Sequence, residues 1–521
     1  MADVVKVTLK DRVHPLYDEY IDRWELYYDA VKGSSNFITT DNLSSHRIED
    51  STDYDERFER AYFLNFCETL PKLYNSLIYK EHIERPGNED LAIFRTNTDG
   101  RGKNINDFVK RGGFLASTFG AVHCIVDIPS APKKNISKFE AKSFGLYPYA
   151  TLFTPIQVKD WSMDKFGRLR WIVLEEKYYN DIDPTVKRIE EVHYKLITTT
   201  EWRVDDDKGQ PVTYDDGSPS KGKNPLGMVP IATMYNNDID DNMVGESMLK
   251  DIVYINRAIF NWCSCIDEQI ERQTFSQLVV PDDGTLAEEK ETSGDPLYKI
   301  GTSSIYTFPH DSGHPPAFIS PDVQNITAVW KLVIDHVKEI FRLSGLMGSS
   351  DDMYIGKSGR AAQFGFISVN SCLASKAASY QKFENDISRL AMIHLGKNPE
   401  EFKEVKYAES FDVGSLTEEI DNIFKVMESN ISDTLNIYLK KTISMKIAPL
   451  APDDLKEKIE KEIEAQGGKF ESPETIRNRE KVENTSKDNN DGPKNTSVKD
   501  TFMTKDKADS VKSSHRIPED K

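Results

Sequence analysis

The chain has 521 residues and a formal net charge of −19, with 38% hydrophobic and 10% aromatic residues; this suits roughly two to four globular domains with a sizeable core. The acidic balance excludes a protein that coats DNA by overall positive charge, so any nucleic-acid contact must be local, weak or slippery. No apolar run reaches the ~18 residues of a membrane span, and five scattered cysteines (Cys67, Cys124, Cys263, Cys265, Cys372) point to reduced, cytoplasmic synthesis rather than a disulfide scaffold.

The opening "MADVVKVTLKDRVHP" lacks the apolar core of a signal peptide. Residues 8–31 read as a helix. So do residues 53–80, where Phe58, Ala61, Tyr62, Asn65, Phe66, Thr69 and Leu73 fall at helical spacing and Pro71 should introduce a kink. A further helix is expected over 104–120 and a short buried strand over 121–129. Strands then dominate. "YATLFTPIQVKDWSMD" and "RLRWIVLEEKYY" flank the turn Lys165-Phe166-Gly167-Arg168, and "VHYKLITTTEWRVDD" follows. Residues 206–227 are crowded with turn formers. The first 245 residues therefore predict one α+β domain, with helices first and an antiparallel meander after.

The pattern changes at residue 246. A long helix is expected from Ser247 to Phe275, with Ile252, Ile255, Ile259, Trp262, Ile266 and Ile270 on one stripe and Arg257, Asn261, Ser264, Glu268, Glu271 and Arg272 on the other face. So narrow a seam suits packing against one or two neighbouring helices. Residues 276–322 form a compact insert, with strands at "SQLVVPDD" and "SIYTFPHD" joined by an acidic, helical-looking "GTLAEEKETSGD". A second long helix, Val323 to Leu343, carries Ile326, Val329, Val333, Val337 and Ile340 on its seam. The glycine- and serine-rich stretch "SGLMGSSDDMYIGKSGRAAQFGF" follows, then a third long helix from Gly359 to Leu395. A strand is expected at 404–412. Ser415 and Glu418 form a capping box before the amphipathic run "EEIDNIFKVMESNISDTLNIYL", and "DDLKEKIEKEIEAQ" is one more charged helix. From Gly468 the polar composition predicts disorder in isolation.

Gly356-Lys357-Ser358 resembles the end of a phosphate-binding P-loop. However, Asp351 holds the first glycine's position, and the preceding element is a helix rather than a strand. His310 and His314 lie among prolines that prevent the helix their spacing needs, Cys263 and Cys265 point in different directions, and the clusters Asp205–Asp207 and Asp238–Asp241 lack the pattern of a calcium loop. No G-x-S-x-G is present. The expectation is a chain that is not an enzyme, with no catalytic, cofactor or metal site; a metal-dependent nuclease built on the aspartate clusters is the alternative. Lys331, Lys338 and Arg342 on the second long helix, followed by Lys357 and Arg360, suit either an ordinary polar face or sparse positive charge facing a polyanion, with Asp335, Glu339, Asp351 and Asp352 beside them to prevent tight binding.

Three stretches carry a resemblance. They are "DYDERFERAYFLNFCETLPKLYNSLIYKE" (53–81) with its E-R-x-x-R-A-x-x-x-N pattern, "YPYATLFTPIQVKDWSMDKFGRLRWIVLEE" (147–176) with Phe153, Val158 and Trp161, and "GMVPIATMYNN" leading into the long helix. Together with the order of elements over residues 15–440, they resemble the portal protein of tailed bacteriophages. The chain departs from the family at Tyr74-Asn75-Ser76 and Asn236-Asn237. The resemblance implies an α+β portal fold: wing at 1–245 and 359–413, stem helices at 246–276 and 323–344, a small β-rich clip at 277–322, a tunnel loop at 345–358, a helical crown at 414–467, and a flexible tail at 468–521. It further implies a ring, usually a homododecamer, at one capsid vertex of the virion, made in the host bacterial cytoplasm. Double-stranded DNA would pass through it during packaging and ejection. Its other partners would be the major capsid protein, the terminase large subunit, the head–tail adaptor and a scaffold, with no membrane. Met347, Asp351, Asp352, Met353, Tyr354 and Lys357 would be tunnel-loop residues, Lys331, Lys338, Arg342 and Arg360 would face the channel, and Glu288, Glu289, Lys290, Tyr298 and Tyr306 would lie at the clip interface. Another virion structural protein, an adaptor or minor capsid component, is the remaining alternative; chain length and the helix–insert–helix order argue against it.

Overall fold

The computed structural model describes residues 7–47, 49–129, 145–180, 184–185, 187–214, 218–237, 243–273, 277–282, 305–319, 323–346, 359–411, 423–429, 431–447 and 453–468. The chain divides into two units, Met1–Val413 and Gly414–Lys521.

In the first unit, α1 (Pro15–Lys32) starts later than the expected residue 8. Pro15 supplies the pre-set φ of a first helical position, and the His14 ring, stacked 3.8 Å from Trp161, accepts the Leu16 N–H. The helix expected over 53–80 is two helices, α2 (Ser51–Arg60) and α3 (Phe66–Ile78). The break lies not at Pro71, which sits buried inside α3, but at 61–65. There Ala61 turns extended, and the Asn65 side chain caps α3 by accepting the Glu68 N–H at 2.9 Å. A short α4 (Ala92–Thr96) precedes α5 (Ile105–Phe119), which has Asn104 as its cap.

β1 (Ala121–Asp127) is buried along almost its whole length and is the centre of an antiparallel sheet of order β2-β1-β8, with β2 Tyr149–Phe153 and β8 Ile231–Tyr235. Gly120, at φ +94°, lets α5 turn directly into β1; a Cβ there would come within 2.1 Å of the Gly245 carbonyl oxygen. The strand expected over 149–164 serves two sheets. Pro155, which has no N–H to give a ladder, opens a 3-10 turn at Pro155–Gln157, and β3 (Val158–Met163) beyond it begins a second sheet. That sheet is the expected antiparallel meander, β3-β4-β5-β6-β7, with β4 Leu169–Asn180, β5 Ile189–Thr198, β6 Glu201–Asp205 and β7 Lys221–Lys223. The β3–β4 turn is fixed by Asp164, whose carboxylate accepts the Phe166 and Arg168 N–H groups.

α6 (Ile252–Gln273) is shorter than expected, because Ser247 spends its hydroxyl on the Thr118 carbonyl and on capping Leu249 N–H. α7 spans Val323–Leu343, as expected. The insert between them is a three-stranded sheet of order β10-β9-β11 (Gln277–Asp282, Ile305–Pro309 and Ala317–Ile319 for β9, β10 and β11). β9 and β10 are parallel, which a long connection permits, and the short antiparallel strand β11 was not foreseen. The acidic stretch 284–295 lies outside the described residues.

α8 (Gly359–His394) is about 54 Å long at 1.5 Å per residue. It buries Leu373, Ala377, Tyr380, Phe383, Ile387 and Leu390 against the first sheet and α5. Gly113 is where the two helices meet: a Cβ there would come within 2.0 Å of the Tyr380 ring. The strand expected at 404–412 is only an isolated bridge, Glu84 to Lys406. Side-chain amides of α8 take its backbone groups instead: Asn385 accepts Val405 N–H, Gln381 accepts Tyr407 N–H and Asn370 accepts Phe411 N–H.

In the second unit, residues 423–428 are helical, and α9 (Asp433–Ile447) packs on α10 (Asp453–Gln466). The expected single amphipathic run is interrupted before Asp433, while α10 matches its expected span; the Ser415–Glu418 capping box lies outside the described residues. Lys441 pairs with Glu464, and the Lys440 ammonium donates to the Gly467 carbonyl. Mixed helices and largely antiparallel sheets make the chain α+β.

Candidate functional site

The α6–α7 pair is the feature that the sequence singles out, and its first half is not a free rod. Ile252, Val253, Asn256, Ile259, Phe260, Cys263, Ser264 and Ile266 are all buried, a band wider than the narrow seam expected. The reason is a set of side chains that satisfy loop backbone. Asn256, fully buried, accepts Phe66 N–H at 3.1 Å and donates to Leu64 carbonyl at 2.8 Å. Asn261 accepts Ser44 N–H and donates to the Asn42 carbonyl, each at 2.8 Å. The polar face of α6 therefore meets α2 and the loops beside it.

The E-R-x-x-R-A-x-x-x-N residues form this joint. Arg57 is 3% exposed. Its guanidinium donates to both Glu49 oxygens at 2.7 and 2.8 Å, to the Ser44 carbonyl at 2.9 Å and to Ser264 Oγ at 3.0 Å. The hydrogen bond from Arg57 holds the Glu49 carboxyl below its usual range. Arg60 pairs with Glu268 and, at 2.6 Å, with Glu271. Arg57 and Arg60 thus reach α6, while Asn65 of the same motif caps α3.

The far end of α7 is held by another buried polar chain. The Tyr74 hydroxyl donates to the Ser344 carbonyl, and the Lys376 ammonium lies 5.3 Å from the centre of the Tyr74 ring. Lys376, from α8, donates to Ser117 Oγ at 3.0 Å and to Asn236 Oδ1; burial pushes its pKa down to about 8. A cavity of about 310 Å³ adjoins it, between Ser344, Ser371 and Lys250. Phe341 packs on Phe66, beside Asn256 at the start of α6, so the two long helices run antiparallel.

On α7, Val333 and Ile340 are buried and Ile326, Val329 and Val337 partly so. At 3.6 residues per turn, Lys331, Lys338 and Arg342 project from the side opposite this seam. Lys331 and Arg342 are exposed, Lys338 pairs with Asp335 at 3.4 Å, and Arg342 pairs with Glu339 through Nε at 2.7 Å. Both flanks between seam and cationic face expose large apolar side chains: Trp330 (48%) and Ile334 on one, Leu332 and Leu343 on the other. α6 likewise exposes Tyr254, Trp262 and Ile270, the last two having been expected on its buried stripe.

Met347, Asp351, Asp352, Met353, Tyr354 and Lys357 lie outside the described residues, as do Glu288, Glu289, Lys290, Tyr298 and the Asp238–Asp241 cluster. Arg360 belongs to α8 and Tyr306 to β10, where it pairs with Val279. Among the described residues, no group of three or more His, Cys, Asp or Glu is placed to hold a metal ion, and no helix is long and apolar enough to cross a membrane. Asp206 is a turn residue that accepts Lys208 and Gln210 N–H groups. The sequence reading missed the buried ions. Besides Arg57 and Glu49, Arg85 pairs through Nε and one terminal nitrogen with the fully buried Glu384, which also accepts the Tyr407 hydroxyl.

No family model matches the chain, and no curated protein matches it. Among solved structures it is similar to a chain of the virion of a native gene transfer agent particle, at 11% identity over 72% of this chain and 89% of that one, with a TM-score of 0.35. It is also similar to a chain of the neck of an empty gene transfer agent particle computed with C6 symmetry, at 12% identity over the same shares, with a TM-score of 0.36.

Proposed function

We propose that this chain is a portal subunit: copies of it close into a ring at one capsid vertex, and double-stranded DNA passes through the hole during packaging and ejection. The observation that carries the reading is the division of the α7 surface into a buried seam, two apolar flanks and an opposed cationic face. Exposed Trp, Ile and Leu on both flanks of one helix are costly in a monomer, at about 25 cal/mol per Å² of apolar surface left wet. A rotational repeat covers both flanks at once, because each copy offers one flank to the neighbour before it and the other to the neighbour after. The cationic face is then left for the axis.

Its chemistry suits a conduit. Each phosphate neutralised by a free Lys or Arg releases counterions and tightens binding. Lys338 and Arg342 are each engaged by a carboxylate three residues earlier, so the wall offers mixed charge and lets a duplex slide. In this reading, residues 345–358 are the tunnel loop, 277–322 the clip that docks the terminase large subunit and later the head–tail adaptor, and 414–467 the crown. The wing, 1–245 with 359–413, meets the major capsid protein. Negative-stain microscopy of the purified chain tests the reading: annular particles are expected, and isolated single copies at high concentration in every buffer would remove it.

A further inference from the structure

The first unit carries a cavity of about 610 Å³ between α1, α3 and α5. Its floor is apolar: Val31, Leu115 and Phe119 are buried, and Tyr28 stacks on Phe119 with ring centres 6.4 Å apart. Its rim is basic. Lys32, Lys72, Lys110 and Arg111 line it, and among the described residues Glu68, already paired with Lys72 at 2.5 Å, is the only acidic one that does. Two of these cations sit over aromatic faces at the mouth, Lys32 5.4 Å from the centre of the Tyr28 ring and Arg111 5.3 Å from that of Phe114. All four side chains belong to exposed residues. The groove therefore reverses the sign of a chain whose net charge is −19.

We propose that this groove is where one copy receives an acidic face of the next copy, an inference that rests on the ring reading above. Charge complementarity selects the occupant. A second copy brings excess carboxylate, which basic rim residues steer and register, while the exposed Tyr28 and half-buried Phe114 offer the apolar centre that a polar rim surrounds in a stable interface. Groove and acidic face are different surfaces, so the contact is heterologous and propagates around a ring.

The test compares the wild-type chain, Lys72→Glu/Lys110→Glu/Arg111→Glu, and a control that reverses charge on the exposed β3–β4 turn, Lys165→Glu/Arg168→Glu. Mass photometry reads assembly, and circular dichroism reads folding. Wild type and control are expected to form rings. The groove variant, with an unchanged spectrum, is expected to assemble roughly tenfold or more weakly, as like charges at an interface require. Amine labelling of the unaltered chain gives a readout that does not depend on the variant folding: Lys32, Lys72 and Lys110 should be protected in rings and reactive in dissociated chains. Rings from the groove variant at wild-type concentrations, or equal labelling in both states, overturn the proposal and leave the ring reading standing. Rings that persist but lose affinity for a duplex oligonucleotide also overturn it, in favour of a nucleic-acid site. A wild-type chain that never assembles overturns both readings.

Discussion

Removing Arg57 is expected to unbolt α2 from α6, at a cost of about 3–5 kcal/mol. The magnitude follows from what is left behind. Arg57 is 3% exposed and the Glu49 side chain only 9%, so truncation strands a carboxylate in a poorly hydrated site and also leaves Ser264 Oγ and the Ser44 carbonyl without this donor. Breaking a buried pair by deleting one partner costs about that much. Glu49→Gln alone keeps an acceptor for the guanidinium and should cost about 1–3 kcal/mol. The double variant should be more stable than Arg57→Ala alone, because the stranded charge is gone, giving a coupling of more than about 1 kcal/mol. All six tryptophans lie between residues 24 and 330, so urea unfolding followed by tryptophan fluorescence reports the first unit. An Arg57→Ala chain within about 1 kcal/mol of wild type, or a double variant no better than that single one, would refute the assignment of this ion pair as the joint.

Three further outcomes follow. The Lys376 pKa, about 8 in the folded chain, lies below the ordinary 10.5, so between those values the unfolded chain holds a proton that the folded chain has shed, and stability rises with pH. Relative to Lys376→Met, wild type should gain about 3 kcal/mol from pH 8 to 10.5; a constant difference across that window, measured by urea unfolding, would contradict it. Gly113→Ala should cost about 1–3 kcal/mol by driving a methyl into the Tyr380 ring, and an unchanged melting temperature would show that the α5–α8 contact is looser than described. Asp335→Asn/Glu339→Gln removes the carboxylates that pair with Lys338 and Arg342, so the cationic face gains net positive charge and the assembled chain should bind duplex DNA more tightly, with a steeper fall in affinity as salt is raised; an unchanged salt slope would place that face away from DNA.

Periodicity and punctuation made much of the fold legible. Val323–Leu343 and Asp453–Gln466 were found to the residue, because strong apolar spacing coincides with clear stops. The meander was legible from alternation and from the turn at Lys165–Arg168. Legibility failed where a side chain, rather than a strand or helix neighbour, satisfies the backbone. Asn65 starts a new helix inside an unbroken apolar pattern, and Asn385, Gln381 and Asn370 hold residues 405–411, whose one backbone pairing among the described residues is the single bridge from Lys406 to Glu84. The candidate site shows the same limit. Lys331, Lys338 and Arg342 could be placed on one face by spacing alone. The burial of Arg57, Glu384 and Lys376 depends on residues far away in the chain, and charged residues in a sequence carry no mark of a distant partner.

The most direct measurement is a cryo-EM reconstruction of the purified, assembled chain. The account predicts a closed ring in which Trp330, Ile334, Leu332 and Leu343 are covered by neighbouring copies and Lys331, Lys338 and Arg342 face a hole wide enough for a duplex. An assembly with those apolar residues still wet, or with α7 turned away from any central opening, would contradict it.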